Sequence, residues 1–411
     1  MKVAYVSAYN SSDVSNWSGT GYYMYKCIAD QGVEVILINS EIRPTWWLKL
    51  KASLVKLLFG KRYIIQRDPG YLTGLAAKAE KQLKNVDFDV VLSPGSLAVS
   101  YLKITQPVVF WTDATFDNML DFYPNWKNVS NESIRQGHQA EQKAIDNASL
   151  ILYISQWALT NALTRYKANP AKVKQIPIGP NLESDVTADE VEELICRRQQ
   201  NPQINLLFVG VDWVRKGGDM AIETTTKLRE MGLNAILTVV GCDLVPKNVP
   251  SYVKFHPFVD KTQPAGVKEL NEFYRQATFF LLPTSAECFG VVFAEAGAHA
   301  VPVVTTNVGG CSAAVKDGFN GFCLDPENFP VKAVEKITWL LKNPQQYRRF
   351  SLNAYKNYLD DINWEVVGKK VVHAIRGLVK NKTIHAMLHL YGIISTIDQF
   401  YALSYLYRLP E

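Results

Sequence analysis

The chain has 411 residues, of which 47% are hydrophobic and 20% charged, with a formal net charge of +5. That length exceeds one ordinary hydrophobic core and sets two domains as the expectation. The charge is too small for this length to point to nucleic acid, and it fits anionic ligands or an anionic membrane surface. The six cysteines (Cys27, Cys196, Cys242, Cys288, Cys311 and Cys323) include no C-x-x-C pair, which favours a reducing compartment and argues against a zinc site. No apolar run is long enough to span a membrane, and the opening MKVAYVSAY turns polar too soon for a signal peptide. A cytoplasmic location is expected.

Residues 3–7 read as a buried strand. After a polar loop, Gly19 and Gly21 in W-S-G-T-G-Y-Y-M-Y precede a helix over 22–31, which Gly32 stops, and 33–38 is a second strand. This β-loop-α-β unit begins a doubly wound sheet. The G-x-G is not a dinucleotide fingerprint, because the glycines trail the strand and Met24 occupies the third position. A plain helix-start loop also accounts for it. Residues 46–62, WWLKLKASLVKLLFGKR, place Trp47, Leu50, Leu54, Leu57 and Leu58 on one helical face with Lys49 and Lys56 at its flank. Such a basic amphipathic helix suits either a membrane surface or a sheet with a solvated rim. A further helix covers 73–85. Asp87-Phe88-Asp89 precedes its strand, 90–93, and reads as a helix-to-strand turn rather than a metal pair.

Residues 107–112 form a strand ending in W-T-D-A-T. Ligand crevices in open α/β sheets lie beyond strand carboxyl ends, so Asp113 is placed to orient an acceptor hydroxyl, to act as a general base, or to cap the next stretch of chain. A helix over 139–147 and a strand over 149–154 come next, then 174–178 and Gly179-Pro180-Asn181. The polar stretch 183–203 holds the domain boundary. The expected division is 1–185, a linker 186–203, a second domain 204–362, and a terminal helix and tail 363–411.

The second half opens with a strand, 204–209, followed by G-V-D-W-V-R-K-G-G. Arg215 and Lys216 sit in a glycine-bounded loop at a strand's carboxyl end, where a forked and a point cation suit a diphosphate. A helix over 220–231 and strands over 235–240 and 253–255 lead to His256-Pro257-Phe258, in which His256 reads as an ordinary loop histidine. Residues 279–282 are a strand. The loop after it carries Glu287, a helix from near Gly290 carries Glu295, and 301–305 is the next strand. Seven residues separate the two glutamates. The helix start offers the amides of Phe289, Gly290 and Val291 to a phosphate, and Ala294, Ala296, Gly297 and Ala298 permit close helix–sheet packing. After Gly309-Gly310 and a short helix come helices over 331–342, 344–358 and 363–380. Residues 384–411, rich in Tyr, Leu and His, suit a helix over the first domain or a surface-docking tail.

The run P-T-S-A-E-C-F-G-V-V-F-A-E-A-G-A-H-A-V-P-V-V resembles the donor-binding motif of the retaining GT-B glycosyltransferases of family 4, also called glycosyltransferase group 1. V-G-V-D-W-V-R-K-G is similar to that family's phosphate-binding loop, and the resemblance runs through residues 1–380. It implies an α/β fold of two Rossmann-like doubly wound domains facing a central cleft, with a C-terminal helix crossing back to the first. It implies transfer of a sugar from a UDP- or GDP-sugar to a hydroxyl of a glycan or lipid-linked acceptor, with retained anomeric configuration and without a metal or other cofactor. Glu287 and Asp113 would be the catalytic pair. Arg215, Lys216, Phe289, Gly290, Val291, Gly19 and Gly21 would hold the donor diphosphate, Glu295 the ribose and Phe258 the base. Residues 46–62 would meet an anionic membrane surface, placing the protein at the inner face of a membrane. The alternatives are a nucleotide-sugar epimerase on the same fold and a catalytically idle scaffold. Three positions depart from the family. Ala300 stands where Gly is usual, Thr112 or Asp113 where His is common, and Ala313 where an acidic residue is usual.

Overall fold

The computed structural model describes residues 1–242, 246 and 248–390. They form two parallel sheets of six strands. The first contains β1 (Lys2–Ser7), β2 (Glu34–Asn39), β3 (Val90–Ser93), β4 (Val108–Thr112), β5 (Leu150–Tyr153) and β6 (Val173–Gln175), in the order β2-β1-β3-β4-β5-β6. The second contains β7 (Ile204–Val209), β8 (Ala235–Val240), β9 (Val253–His256), β10 (Phe279–Leu282), β11 (Val303–Thr306) and β12 (Gly321–Leu324), in the order β12-β11-β10-β7-β8-β9. Strands such as VVFWT and FFLL are buried along their whole length, as expected where helices cover both faces of a parallel sheet. The strand order reverses between β1 and β3 in one sheet and between β7 and β10 in the other, and each reversal opens a crevice at the strands' carboxyl ends. This is the GT-B architecture.

The helices follow chain order. With the first sheet come α1 (Thr20–Ala29), α2 (Trp46–Phe59), α3 (Pro69–Leu83), α4 (Phe116–Met119), α5 (Asn131–Asn147) and α6 (Gln156–Arg165). Then come α7 (Ala188–Gln200), α8 (Trp213–Lys216), α9 (Gly218–Glu230), α10 (Pro264–Gln276), α11 (Val291–Ala298), α12 (Phe329–Lys342), α13 (Pro344–Asp360) and α14 (Trp364–Leu390). Several elements, α10 and β12 among them, occupy stretches to which the sequence reading assigns nothing. α10 has Pro264 in its first turn, where the missing N–H has no helical partner to lose. The D-x-D segment is a turn as expected, with Asp89 Oδ2 accepting from the Lys2 amide at 2.7 Å and Asp87 pairing with Lys2 Nζ at 3.0 Å.

α2 is not packed on the sheet. None of its residues is buried, and Trp47, Leu57 and Leu58 are 62%, 80% and 68% exposed.

The last helix ties the second domain back to the first. Trp364, at the start of α14, stacks on Tyr23 of α1 (5.9 Å between centroids) and meets Trp111 of β4 edge-on at 6.1 Å. Its Nε1 donates to the Pro180 carbonyl at 2.7 Å. The tail beyond residue 390 lies outside the described residues.

The stretch expected as a linker, 186–203, holds α7, capped by Thr187 and Glu190. Val191, Leu194 and Ile195 enter the core, and Arg198, 5% exposed, reaches four backbone carbonyls. It donates to Tyr274 and Arg275 at the end of α10 (3.2 Å each) and to His299 and Ala300 after α11 (2.8 Å each). Carbonyls at helix C-termini lack intrahelical partners and carry partial negative charge. One guanidinium therefore satisfies the ends of two helices. It also holds Ala300, which adopts a left-handed conformation (φ +54°). That conformation suits glycine and costs an alanine roughly 1–2 kcal/mol, which accounts for the glycine usual at this position in the resembling family.

Two stability measurements check this account. Arg198→Met should lower the unfolding free energy by on the order of 3 kcal/mol, because the carbonyls stay buried without their donor. Ala300→Gly should raise it by about 1 kcal/mol by relieving the positive φ. Both are read by denaturant titration.

Candidate functional site

β7 and β10 are hydrogen-bonded neighbours at the reversal of the second sheet, so the loops that leave them are forced together. Asp212 caps α8, its Oδ1 accepting from the Arg215 amide at 3.1 Å. The Arg215 carbonyl accepts from the Ser285 amide (2.7 Å), Ser285 Oγ (3.0 Å) and Thr284 Oγ1 (3.1 Å). Gly217 (φ +78°) makes the approach possible, since a Cβ there would stand 2.0 Å from the Pro283 carbonyl oxygen. Together these contacts fix both cations beside Glu287. Lys216 Nζ pairs with Glu287 Oε2, and Arg215 Nη1 lies 3.7 Å from the same oxygen. Arg215 also donates to the Ala286 carbonyl (3.1 Å) and to Asp212 (3.3 Å). Lys216 is 8% exposed, so its charge acts with little screening by water.

Beyond Glu287 the chain turns at Gly290 (φ +83°) and enters α11, whose first-turn amides have no partner within the helix. Glu295 lies on the second turn and faces a separate place. It is 1% exposed, with Oε1 held by Lys261 Nζ at 2.9 Å and Oε2 accepting from Tyr274 at 2.8 Å. Lys261 follows Phe258 on the loop after β9, and Phe258 is 62% exposed. His256 packs edge-on against Phe273 at 4.6 Å.

From the first domain, Asp113 enters half-buried from the end of β4. Burial and then the charge of Glu287 push its carboxyl up to about 6, against hydrogen bonds from its own backbone amide, Trp17 and Thr112 that pull it down. Burial and the Asp113 charge raise the phenol of Tyr9. Tyr9 packs on α1 so closely that a Cβ on Gly21 would stand 2.3 Å from its Oη. Gly19, at φ +86°, caps α1. Among the described residues no hydrogen bond joins Gly19 or Gly21 to Arg215 or Lys216. α1 meets the second domain through Tyr23 instead, whose phenol is raised to about 12 by burial, Glu183 and Glu295. A second bridge is Tyr123, whose Oη accepts from the Cys288 amide at 3.2 Å.

The structure thus brings Arg215, Lys216, Glu287, the start of α11 and Asp113 to one cleft, with Glu295 beside it. Sequence reasoning missed Lys261, Tyr274, Trp17 and Tyr123. Tyr274 was accessible through the apolar spacing of α10, whereas the others carry no local signal. Among the described residues no group of three or more His, Cys, Asp or Glu side chains is placed to hold a metal ion.

Residues 196–357 match the family described as glycosyl transferases group 1. The chain is 25% identical over 292 residues to a D-inositol 3-phosphate glycosyltransferase of Thermobifida fusca, covering 64% of this chain and 61% of the relative. It is 25% identical over 198 residues to the protein of that name in Paenarthrobacter aurescens (46% and 48%). It therefore spans about half to three-fifths of the length of these curated relatives. Among solved structures it resembles sucrose-phosphate synthase from Thermosynechococcus elongatus (TM-score 0.64, 16% identity, 93% of this chain and 100% of that one). It also resembles an Anabaena protein, HepE, in complex with UDP and glucose (TM-score 0.59, 15% identity, 92% and 99%). These likenesses establish the fold.

The raised carboxyl of Asp113 has a measurable consequence for stability. The unfolded chain releases this proton near pH 4, whereas the folded protein keeps it to about pH 6. The stabilising contribution is therefore full below pH 4 and is lost as pH rises through 6. Asp113→Asn should be more stable than wild type at pH 7 by about 2–3 kcal/mol and nearly equal to it at pH 4, read by unfolding at the two pH values.

Proposed function

We propose that this chain, which carries a group 1 glycosyltransferase domain on a GT-B framework, transfers a sugar from a UDP- or GDP-sugar to a hydroxyl of a glycan or lipid-linked acceptor, with retained anomeric configuration. One observation carries the reading. Arg215 and Lys216 converge on Glu287, on the loop that leads into α11, with Asp212 as a second partner of Arg215, and Asp113 opposes them closely enough to feel the charge of Glu287. An anion that displaces these carboxylates finds two cations, and a helix start adds amides and a positive dipole end. A diphosphate fits that combination. The Anabaena neighbour in complex with UDP and glucose, and relatives named as glycosyltransferases, support the donor class.

In this reading the departing diphosphate collects negative charge as the bond to the anomeric carbon breaks. Arg215, Lys216 and the amides of Phe289, Gly290 and Val291 stabilise that charge, each strong preorganised donor lowering the barrier by ~3 kcal/mol. Glu287 grips sugar hydroxyls and faces the developing positive charge at the anomeric carbon. Glu295 binds the ribose hydroxyls once Lys261 yields, and Phe258 lies toward the base. Gly19 and Gly21 let the first-domain wall approach the donor. Asp113, ionised above about pH 6, accepts the hydrogen bond of the acceptor hydroxyl. Cleft closure excludes water and limits donor hydrolysis.

The acceptor lies at a membrane surface in this reading. α2 presents Trp46, Trp47, Leu57, Leu58 and Phe59 to solvent with Lys49, Lys56 and Lys61 around them. That pattern suits insertion of a helix at the headgroup level of an anionic bilayer.

Three outcomes are expected. With its donor and an acceptor hydroxyl, Lys216→Met should lose about 10²–10³ in kcat, while nuclear magnetic resonance of the wild-type product shows the donor's anomeric configuration. Conversion of the donor to another nucleotide sugar without acceptor would favour the epimerase instead. Transfer should fall about tenfold per pH unit below pH 6 as Asp113 protonates, and this limb should vanish from residual Asp113→Asn activity. The protein should sediment with anionic but not zwitterionic phospholipid vesicles, and Trp47→Ser with Leu57→Ser should abolish this. Equal recovery with both vesicle types would remove the membrane from the account.

A further inference from the structure

The chain that leaves β4 crosses the cleft before returning to its own domain. From the end of α4 onward it delivers Met119, Phe122 and Tyr123 to the loop that carries Glu287. Tyr123 Oη accepts from the Cys288 amide at 3.2 Å and lies 3.4 Å from Cys288 Sγ. Met119 Sδ lies 3.9 Å from the same sulfur. The Arg215 guanidinium sits over the Tyr123 ring, 5.4 Å from its centroid. Phe122 closes on Gly309, its Cζ 2.6 Å from where a Cβ would stand. The turn that carries these residues includes Asp121 at φ +56°, a conformation that costs a non-glycine residue on the order of 1 kcal/mol.

Tyr123 therefore stands among the groups that the transfer reading places around the sugar. Burial, then Cys288 and the charges of Glu287 and Asp113, push its phenol up, and its ring covers Arg215, one of the two cations assigned to phosphate. Its hydroxyl takes the backbone N–H between Glu287, assigned to sugar hydroxyls, and Phe289, assigned to phosphate. A hydroxyl oxygen accepting from that amide is the contact that a hexose hydroxyl would make there.

We propose that Tyr123 is a stand-in for a donor-sugar hydroxyl, occupying the sugar subsite of the ligand-free protein and withdrawing when a nucleotide sugar enters. The inference rests on the transfer reading and goes beyond it, because it makes the segment after β4 a gate on the sugar end of the donor alone. Glu295, at the nucleotide end, is covered by Lys261 and Tyr274 and not by Tyr123. The strained turn at Asp121 lowers the cost of withdrawal.

The test is Tyr123→Phe, which removes one oxygen and keeps the ring beneath Arg215. Calorimetric titration is done with UDP and UDP-glucose, and with GDP and GDP-mannose, against wild type and variant. The nucleotide should bind both proteins within about twofold, while its nucleotide sugar binds the variant at least about fivefold more tightly (~1 kcal/mol). Amide hydrogen exchange at Cys288 should be faster in the unliganded variant and slow again when the nucleotide sugar is bound. Equal or weaker nucleotide-sugar binding by the variant, with nucleotide binding intact, overturns the gate and leaves the transfer reading standing. Failure of wild type to bind either nucleotide overturns the transfer reading and the gate with it.

Discussion

Glu287 is one carboxylate held by two cations 71 and 72 residues away in sequence, and the second domain's site depends on that junction. The attraction alone would not assemble it. The pairing of β7 with β10 brings the two loops to one edge, and Gly217 lets them close to backbone contact. Desolvating Lys216 and Arg215 is costly unless a carboxylate and carbonyls compensate. Glu287, Asp212 and the Ala286 carbonyl do so in the ligand-free protein. An anionic ligand at this place would take over part of that compensation, and in the proposed function the ion-pair network serves as a binding site as well as a brace.

The same logic of helix ends and buried charge organises the surroundings of the cleft. Arg198 gathers the carbonyl ends of α10 and α11, and so fixes the two helices that carry Tyr274 and Glu295. Trp364 sets α14 against α1 and β4, joining the domains behind the cleft. Tyr23 and Tyr123 join them at its mouth. The interdomain contacts combine these aromatic bridges with apolar packing of α14 on α1, where Val367, Val371 and Ile375 join the cluster of Met24, Cys27 and Ile28.

Much of the fold was legible because parallel strands are continuous apolar runs bounded by breakers. β3, β7, β8 and β10 span the residues that their sequences mark. The helices were less legible where their first turns are polar. α5 begins at Asn131, capped by Ser130, eight residues before the apolar pattern marks it. α7 reads as a linker on composition, although Thr187 and Glu190 form a capping box and Val191, Leu194 and Ile195 follow helical spacing. In the site, Glu287, Glu295, Arg215 and Lys216 stood out because each follows a strand or opens a helix in a short motif. Lys261, Trp17 and Tyr123 did not, because each reaches its partner across a distance in sequence that only the sheet order resolves. Ala300 shows the converse. Its departure from the usual glycine was visible, but the positive φ that makes the departure costly was not.

The central claim is that the crevice between β7 and β10 is a nucleoside-diphosphate site, with Glu295 reading the ribose. Its most direct measurement is calorimetric titration of UDP, GDP and ADP into wild type and Glu295→Gln, a substitution that keeps the side chain's shape while removing its charge. The account predicts micromolar binding of one uridine or guanosine diphosphate to wild type and at least about tenfold weaker binding to the variant (~1.4 kcal/mol). Folded protein that binds none of the three, or a Glu295→Gln variant that binds as well as wild type, would contradict it.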